Sequence, residues 1–216
     1  MELMKKFKLI IPVIFLSLLF TSCIDYVQSI SYKDGEYHLY YKITLSKLLC
    51  EMGDNDSEDM FDELGEETLE GLPENVTIKP VNTDLELGAE YFLSVNPRTT
   101  KEEEKALLPK ISGNKCFIPF LIGSEDSSYA DSLGTGSSEG EAFLEAILSS
   151  AKCRIIISKV VLPQIKKAYF EGAKGNNYII PVFDYGDSYC LEIPLVILIA
   201  HTYRTDRVVV IRKTDT

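Results

Sequence analysis

The chain has few cysteines, few histidines and few basic residues, and each shortage excludes a class of protein. Five cysteines in 216 residues are too few for a disulfide-scaffolded mini-protein. The 22 Lys and Arg residues are outnumbered by 33 Asp and Glu, giving a formal charge of −11. A nucleic-acid partner is therefore not expected, because such binders carry a basic face. His38 and His201 are the two histidines, and the phosphate-loop, H-E-x-x-H and paired C-x-x-C motifs are absent, so we expect no cofactor and no metal.

A long apolar run is also lacking, but a short one follows the N-terminus. Three lysines at 5–8 precede the apolar run 9–20, and the small polar residues Thr21 and Ser22 follow before Cys23. These 12 apolar residues are too few for a membrane-spanning helix, which needs about 20. Basic, apolar and small-residue regions in this order predict a secretory signal peptide over residues 1–22. The alternative is an N-terminal anchor that is never cleaved.

The end of this segment, Leu-Leu-Phe-Thr-Ser-Cys at 18–23, resembles the lipobox of bacterial lipoproteins. Ser22 matches the small residue before the cysteine, whereas Phe20 departs from the usual Leu-like residue, as in the relaxed boxes of spirochaetes. The resemblance implies diacylglycerol on the Cys23 sulfur and an acyl chain such as palmitate on its amine. Two or more chains give stable anchoring. The alternative is an ordinary signal peptide with a chance cysteine.

Residues 23–216 read as one envelope domain of the α+β class. We expect a mostly antiparallel, strongly curved sheet with a few helices packed on one face. An Asp-Gly turn within 33–36 predicts a hairpin over residues 26–45. Pro80 predicts that its strand is an edge or carries a bulge. The other predicted strands cover 76–81, 85–95, 116–122, 153–162, 178–183, 191–200 and 207–212, and the predicted helices cover 57–70, 99–108, 141–152 and 163–172.

Two polar segments interrupt this pattern. Residues 51–74 contain eleven acidic side chains, yet Asp59 and Gly65 stand where a calcium-binding EF-hand loop beginning at Asp54 requires Gly and Glu. Residues 123–140 are rich in Ser and Gly and predict a long exposed loop. We interpret the first segment as a solvated acidic face.

The exposed loop contains the pattern G-x-S-x-G at 136–140, which is typical of the nucleophile elbow of α/β-hydrolases. Ser138 would be the nucleophile, His201 its base, and Asp184 or Asp187 the orienting acid. However, the elbow must follow a buried strand, and the polar stretch 124–133 is not one. We therefore expect no catalytic residues, and a serine hydrolase remains a remote alternative.

Four cysteines remain after lipidation of Cys23: Cys50, Cys116, Cys153 and Cys190. An even number in an exported chain permits up to two disulfides in three connectivities. Alternatively, the four thiols are small buried apolar side chains, since all lie beside apolar runs.

The segment 191–200 is apolar on both faces from Leu195 onward. It is either a central strand covered on both sides or a strand with one face lining an apolar cavity. The second interpretation predicts a lipid-accepting site.

Together these features predict an exported lipoprotein of the bacterial cell envelope, anchored through acylated Cys23. Ile24 follows the cysteine, where an Asp would have indicated the inner membrane, so the outer membrane is favoured. The expected function is a non-catalytic binding module for lipid or another apolar ligand. The alternative is a protein-interaction or architectural lipoprotein using residues 51–74, with an envelope protein as its partner.

The anchor is tested by the substitution Cys23→Ala. We expect the variant to leave the detergent phase in phase partitioning, because the thiol that carries the diacylglycerol is missing. A variant that partitions into detergent like the unchanged chain would contradict the lipobox interpretation.

Overall fold

The protein folds into two β-sheets. The computed structural model describes residues 24–47, 75–120, 151–172, 175–199 and 203–213. Strands account for 66% of these described residues and helices for 7%, and neither sheet closes on itself within them. The expectation of an α+β fold with several helices on one curved sheet is therefore wrong. The predicted helices 57–70 and 141–152, together with segments 51–74 and 123–140, lie largely or wholly outside the described residues.

The larger sheet has seven strands in the order β10-β11-β7-β1-β2-β4-β3. Its neighbours are antiparallel except β1 and β7, which run parallel, with Tyr26 opposite Cys153 and Ile30 opposite Ile157. The strands of this sheet are β1 (Ile24–Lys33), β2 (Glu36–Ser46), β3 (Thr77–Asn82), β4 (Glu86–Val95), β7 (Lys152–Ser158), β10 (Val182–Asp184) and β11 (Ser188–Pro194).

The smaller sheet has five antiparallel strands in the order β5-β6-β12-β8-β9. These strands are β5 (Lys110–Ser112), β6 (Lys115–Pro119), β8 (Ile165–Gly172), β9 (Tyr178–Ile180) and β12 (Tyr203–Arg212). Two short helices complete the described segments, α1 (Glu102–Lys105) and α2 (Leu195–Ile199).

The first hairpin follows from its turn residues. Asp34 and Gly35 both have positive φ, 53° and 88°, which is the backbone that a tight two-residue hairpin turn requires. The predicted hairpin is thus confirmed, with Lys33 paired to Glu36. The prediction for Pro80 is also confirmed, because β3 lies at the edge of its sheet.

One apolar core lies between the two sheets. Alternate residues of β1, among them Tyr26 and Ile30, face it from the larger sheet, and Phe170 of β8 faces it from the smaller one. Phe120 joins them, because its ring lies 5.1 Å from Tyr26 and 6.2 Å from Phe170 between centroids. The fully buried Gln28 donates from Nε2 to the carbonyl oxygen of Pro119 at 2.9 Å. A buried polar side chain therefore also links the two layers.

Two element predictions are wrong. The sequence predicts a helix over 163–172, but 165–172 form β8, paired with β12 on one side and β9 on the other. The predicted strand 191–200 ends at Pro194 and continues as helix α2. In the first case, pairing with neighbouring strands overrides local propensity. In the second, the β7–β11 register ends at Lys152 and Pro194, and the chain continues as helix α2.

A close backbone approach makes Gly88 a sensitive position. Gly88 pairs with Thr44, and a Cβ at Gly88 would collide with the carbonyl oxygen of Ile43 and with Cγ2 of Thr44. We expect Gly88→Ala to lower the free energy of unfolding by about 3 kcal/mol in guanidinium chloride titration, because the β2–β4 backbone must move.

The matched control is Gly113→Ala. A Cβ there meets nothing within 4 Å, and only the positive φ of 59° opposes it, at a cost of about 1 kcal/mol. Equal losses for the two variants would show that the approach at Gly88 is not a constraint.

Candidate functional site

The structure places only some of the residues singled out from the sequence. Cys23, Ser138 and His201 lie outside the described residues, so the lipidation site and the serine-hydrolase alternative stay predictions. Asp184, one candidate acid, accepts hydrogen bonds from Lys159 and from the backbone N–H of Gly186. Asp187, the other, accepts one from Ser188 Oγ. His38 lies beside Ser94, with 2.9 Å between Nδ1 and Oγ.

The three described cysteines, Cys116, Cys153 and Cys190, are buried and free. The interpretation of these thiols as small buried apolar side chains is confirmed, and Cys50 lies outside the described residues. Burial raises the pKa of Cys116 to about 11 and that of Cys153 to about 12, and it also raises the pKa of Cys190. All three thiols are therefore protonated at neutral pH and are poor nucleophiles.

The apolar segment that suggested a lipid cavity is used largely in the core. Leu191 and Ile193 of β11 are completely buried between the sheets. Leu195 and Leu198, on the first turns of α2, are buried in the same core. The change from strand to helix at Pro194 explains why both faces of the sequence are apolar, so core packing accounts for these four residues.

Three exposed apolar side chains lie in or next to the β7–β8 connection and the β10–β11 turn, which meet at one end of the larger sheet. Val160 is 69% exposed, Tyr185 is 65% exposed and Phe183 is 43% exposed. We call these three side chains and their two loops the apolar tip. Exposed aromatic and aliphatic side chains grouped in this way are typical of protein–protein contact surfaces.

Lys159 holds the two loops of the apolar tip together. Its backbone N–H donates to the carbonyl oxygen of Asp187 at 2.9 Å. Its Nζ donates to Asp184 Oδ1 at 2.6 Å and lies 4.8 Å from the ring centroid of Tyr189. Tyr189 in turn donates from its hydroxyl to the carbonyl oxygen of Pro163 at 3.2 Å. Each loop is thus fixed to the other and to the edge of the core.

Lys159 and Asp184 are both charged at neutral pH. The hydrogen bond with Asp184 raises the pKa of Lys159, and the same bond, with that from the N–H of Gly186, lowers the pKa of Asp184. A carboxyl whose pKa is lowered on folding contributes stability above its unfolded pKa and loses it as the pH falls through the folded value. The contact is therefore lost in acid, when Asp184 becomes protonated, and in strong alkali, when Lys159 loses its proton.

Strand directions place the apolar tip far from residue 24. Because β7 runs parallel to β1, the C-terminal ends of both strands lie at the same edge of the sheet. The tip follows Ser158, the last residue of β7, whereas Ile24 begins β1. A strand of ten residues at roughly 3.3 Å per residue separates the two ends by about 30 Å.

Sequence reasoning missed the apolar tip. The sequence predicts one strand over 178–183, but Pro181 separates β9 in one sheet from β10 in the other. The sequence Asp184-Tyr185-Gly186 indicates an exposed aromatic side chain, because Tyr185 lies between two residues that are common in turns. An aromatic residue at such a position is exposed unless another segment covers it.

Comparison with protein-family models, with curated proteins and with solved structures gives no match for this chain. Within the described segments, no helix has the length and apolar character needed to cross a membrane. The same segments contain no cluster of three or more His, Cys, Asp or Glu side chains suited to a metal ion.

The role of Lys159 is tested by Lys159→Met, which keeps an unbranched apolar stem but removes the charge. We expect faster amide hydrogen exchange in peptides covering 159–162 and 185–188, because the loops lose their ionic contact. Global stability should change little, since exposed ion pairs contribute little to it. Lys105→Met is the control, because it removes the Lys105–Glu102 pair in α1. Unchanged exchange at 185–188 in Lys159→Met would contradict the proposed role.

Proposed function

We propose that this protein is a non-catalytic binding module of the bacterial cell envelope, exported and anchored in a membrane through acylated Cys23. The basic start, short apolar run and lipobox-like end of residues 1–23 support the anchor. The outer membrane is the favoured location.

We further propose that the module binds an envelope protein through the apolar tip. The observation that carries this proposal is the exposure of Val160 and Tyr185, on the two loops that Lys159 joins, and of Phe183 on the adjoining edge strand β10. Preorganised loops lose little conformational entropy on binding, and tyrosine is enriched among the residues that dominate interface energies. A membrane anchor at the opposite end of β1 would leave the tip facing away from the bilayer.

Binding of a lipid or another apolar ligand is the second candidate. The observation that favours it is Tyr41, whose hydroxyl is buried on the inner face of β2 with no hydrogen-bond partner within the described segments. Leaving a buried hydroxyl unpaired is costly, and a polar group of a ligand would satisfy it. The use of Leu191 and Ile193 in the core makes this candidate weaker than the protein-binding one.

Site-specific photocrosslinking in the native envelope tests the partner. In one variant of the full chain, p-benzoylphenylalanine replaces Tyr185. In the control variant it replaces Thr77, which is exposed on edge strand β3. We expect one dominant protein adduct from position 185 and none of the same mass from position 77. The added substitution Val160→Asp should abolish the adduct, because it places a charge in the contact.

The control for that substitution is Ile111→Asp, which changes a half-exposed apolar residue on β5 and should leave the adduct intact. Identical adducts from positions 77 and 185, or none from either, would contradict partner binding at the tip. A lipid-sized mass retained by residues 24–216 in native mass spectrometry and released on denaturation would favour the second candidate instead.

A further inference from the structure

The end of the larger sheet nearest Cys23 has no spacer between the predicted acyl anchor and the fold. Strand β1 begins at Ile24, and Ile24 pairs with Leu45 of β2, which pairs with Leu87 of β4. If Cys23 carries acyl chains within the bilayer, the adjacent residues lie at the level of the lipid headgroups. We call this edge of the sheet the anchor end.

The most exposed large apolar side chain of the described residues lies at the anchor end. Leu85 is 76% exposed in the turn between β3 and β4. The turn is well ordered, because Thr83 Oγ1 accepts the N–H groups of Leu85 and Glu86, and the Leu85 carbonyl accepts the N–H of Lys47. The backbone therefore holds the Leu85 side chain out in solvent, although an apolar side chain gains nothing there.

Helix α2 adds apolar surface at the same end. It follows Pro194, which pairs with Lys152 beside Asp25, and the N–H of Leu195 donates to the carbonyl oxygen of Ala151 at 2.9 Å. Val196 and Ile197 of this helix are only partly buried against the core. Apolar side chains from two separate elements thus lie at the anchor end.

Charges on the outer face near this end are paired with one another. Asp25 lies 2.8 Å from Arg154 and 3.6 Å from Lys42, and Lys42 lies 3.0 Å from Glu86. Lys152 and Glu192 form a further pair at 2.9 Å. Within these ion pairs, three acidic and three basic side chains cancel. The paired charges therefore add no net repulsion from anionic headgroups.

We propose that the anchor end lies directly on a phospholipid bilayer and that Leu85 inserts into the interface between headgroups and acyl chains. The inference rests on the proposed anchoring through Cys23, and it adds a second contact that is not covalent. Interfacial apolar groups reach about 5–10 Å into this boundary. The domain is then held in one orientation, with the apolar tip pointing away from the membrane.

The test uses tryptophan, which the natural chain lacks. The full chain with Leu85→Trp, produced in a bacterium that acylates lipoproteins, is reconstituted into phosphatidylcholine vesicles with brominated acyl chains. We expect the fluorescence emission of this tryptophan to be blue-shifted relative to tryptophan in water. We also expect the brominated vesicles to quench most of the intensity that is seen in vesicles without bromine. The matched variant Val160→Trp, whose site is 69% exposed but lies at the apolar tip, should show neither change.

Vesicle flotation, done on the same samples, separates the two proposals. If Leu85→Trp floats with the vesicles but is quenched no more than Val160→Trp, the anchor stands and the bilayer contact is overturned. If the chain does not float, both the anchor and the contact that rests on it are overturned. The circular dichroism spectra of both variants must match that of the unchanged chain, which shows that both are folded.

Discussion

The central position of strand β1 constrains the rest of the molecule. β1 pairs with β2 through a tight turn and with β7 in parallel, so it joins the two halves of the seven-stranded sheet. Its alternate residues Tyr26, Gln28 and Ile30 are completely buried, and Gln28 bonds across the core to the carbonyl of Pro119. Register in the larger sheet and contact with the smaller one therefore depend on the same short segment, which directly follows the predicted acylation site.

Local signals in the sequence identify the elements that depend on near neighbours. Asp34-Gly35 predicts the β1–β2 turn because the required positive φ values are a property of those two residues. Pro80 predicts an edge because it lacks a backbone donor. The segment 165–172 could not be assigned in this way, since its strand conformation comes from β12 and β9, which are distant in the chain. The same holds for the apolar tip, where Lys159 meets Asp184 only after β7, β11 and β10 have paired.

The parallel pairing of β1 and β7 also determines which loops lie at each end of the larger sheet. With β7 antiparallel to β1, the loop after Ser158 would lie beside Ile24, and the exposed side chains of Val160 and Tyr185 would face the proposed membrane. With the observed register, Tyr26 lies opposite Cys153 and Ile30 opposite Ile157, so the loops follow at the far end. One strand direction therefore separates two apolar surfaces, around Leu85 and around Tyr185, that have different proposed partners.

The size of the apolar tip argues that anchoring and binding act together. Three exposed side chains are a small part of a stable protein–protein interface, which buries about 800 Å² on each partner. A tip of this size gives weak binding to a partner free in solution. With the proposed anchor, a partner in the same membrane would be bound at a raised effective concentration, as with a linker, without any new contact. The proposed orientation on the bilayer would strengthen this effect, because it would present Tyr185 and Val160 at a constant height above the surface and remove rotational freedom that binding would otherwise have to restrict.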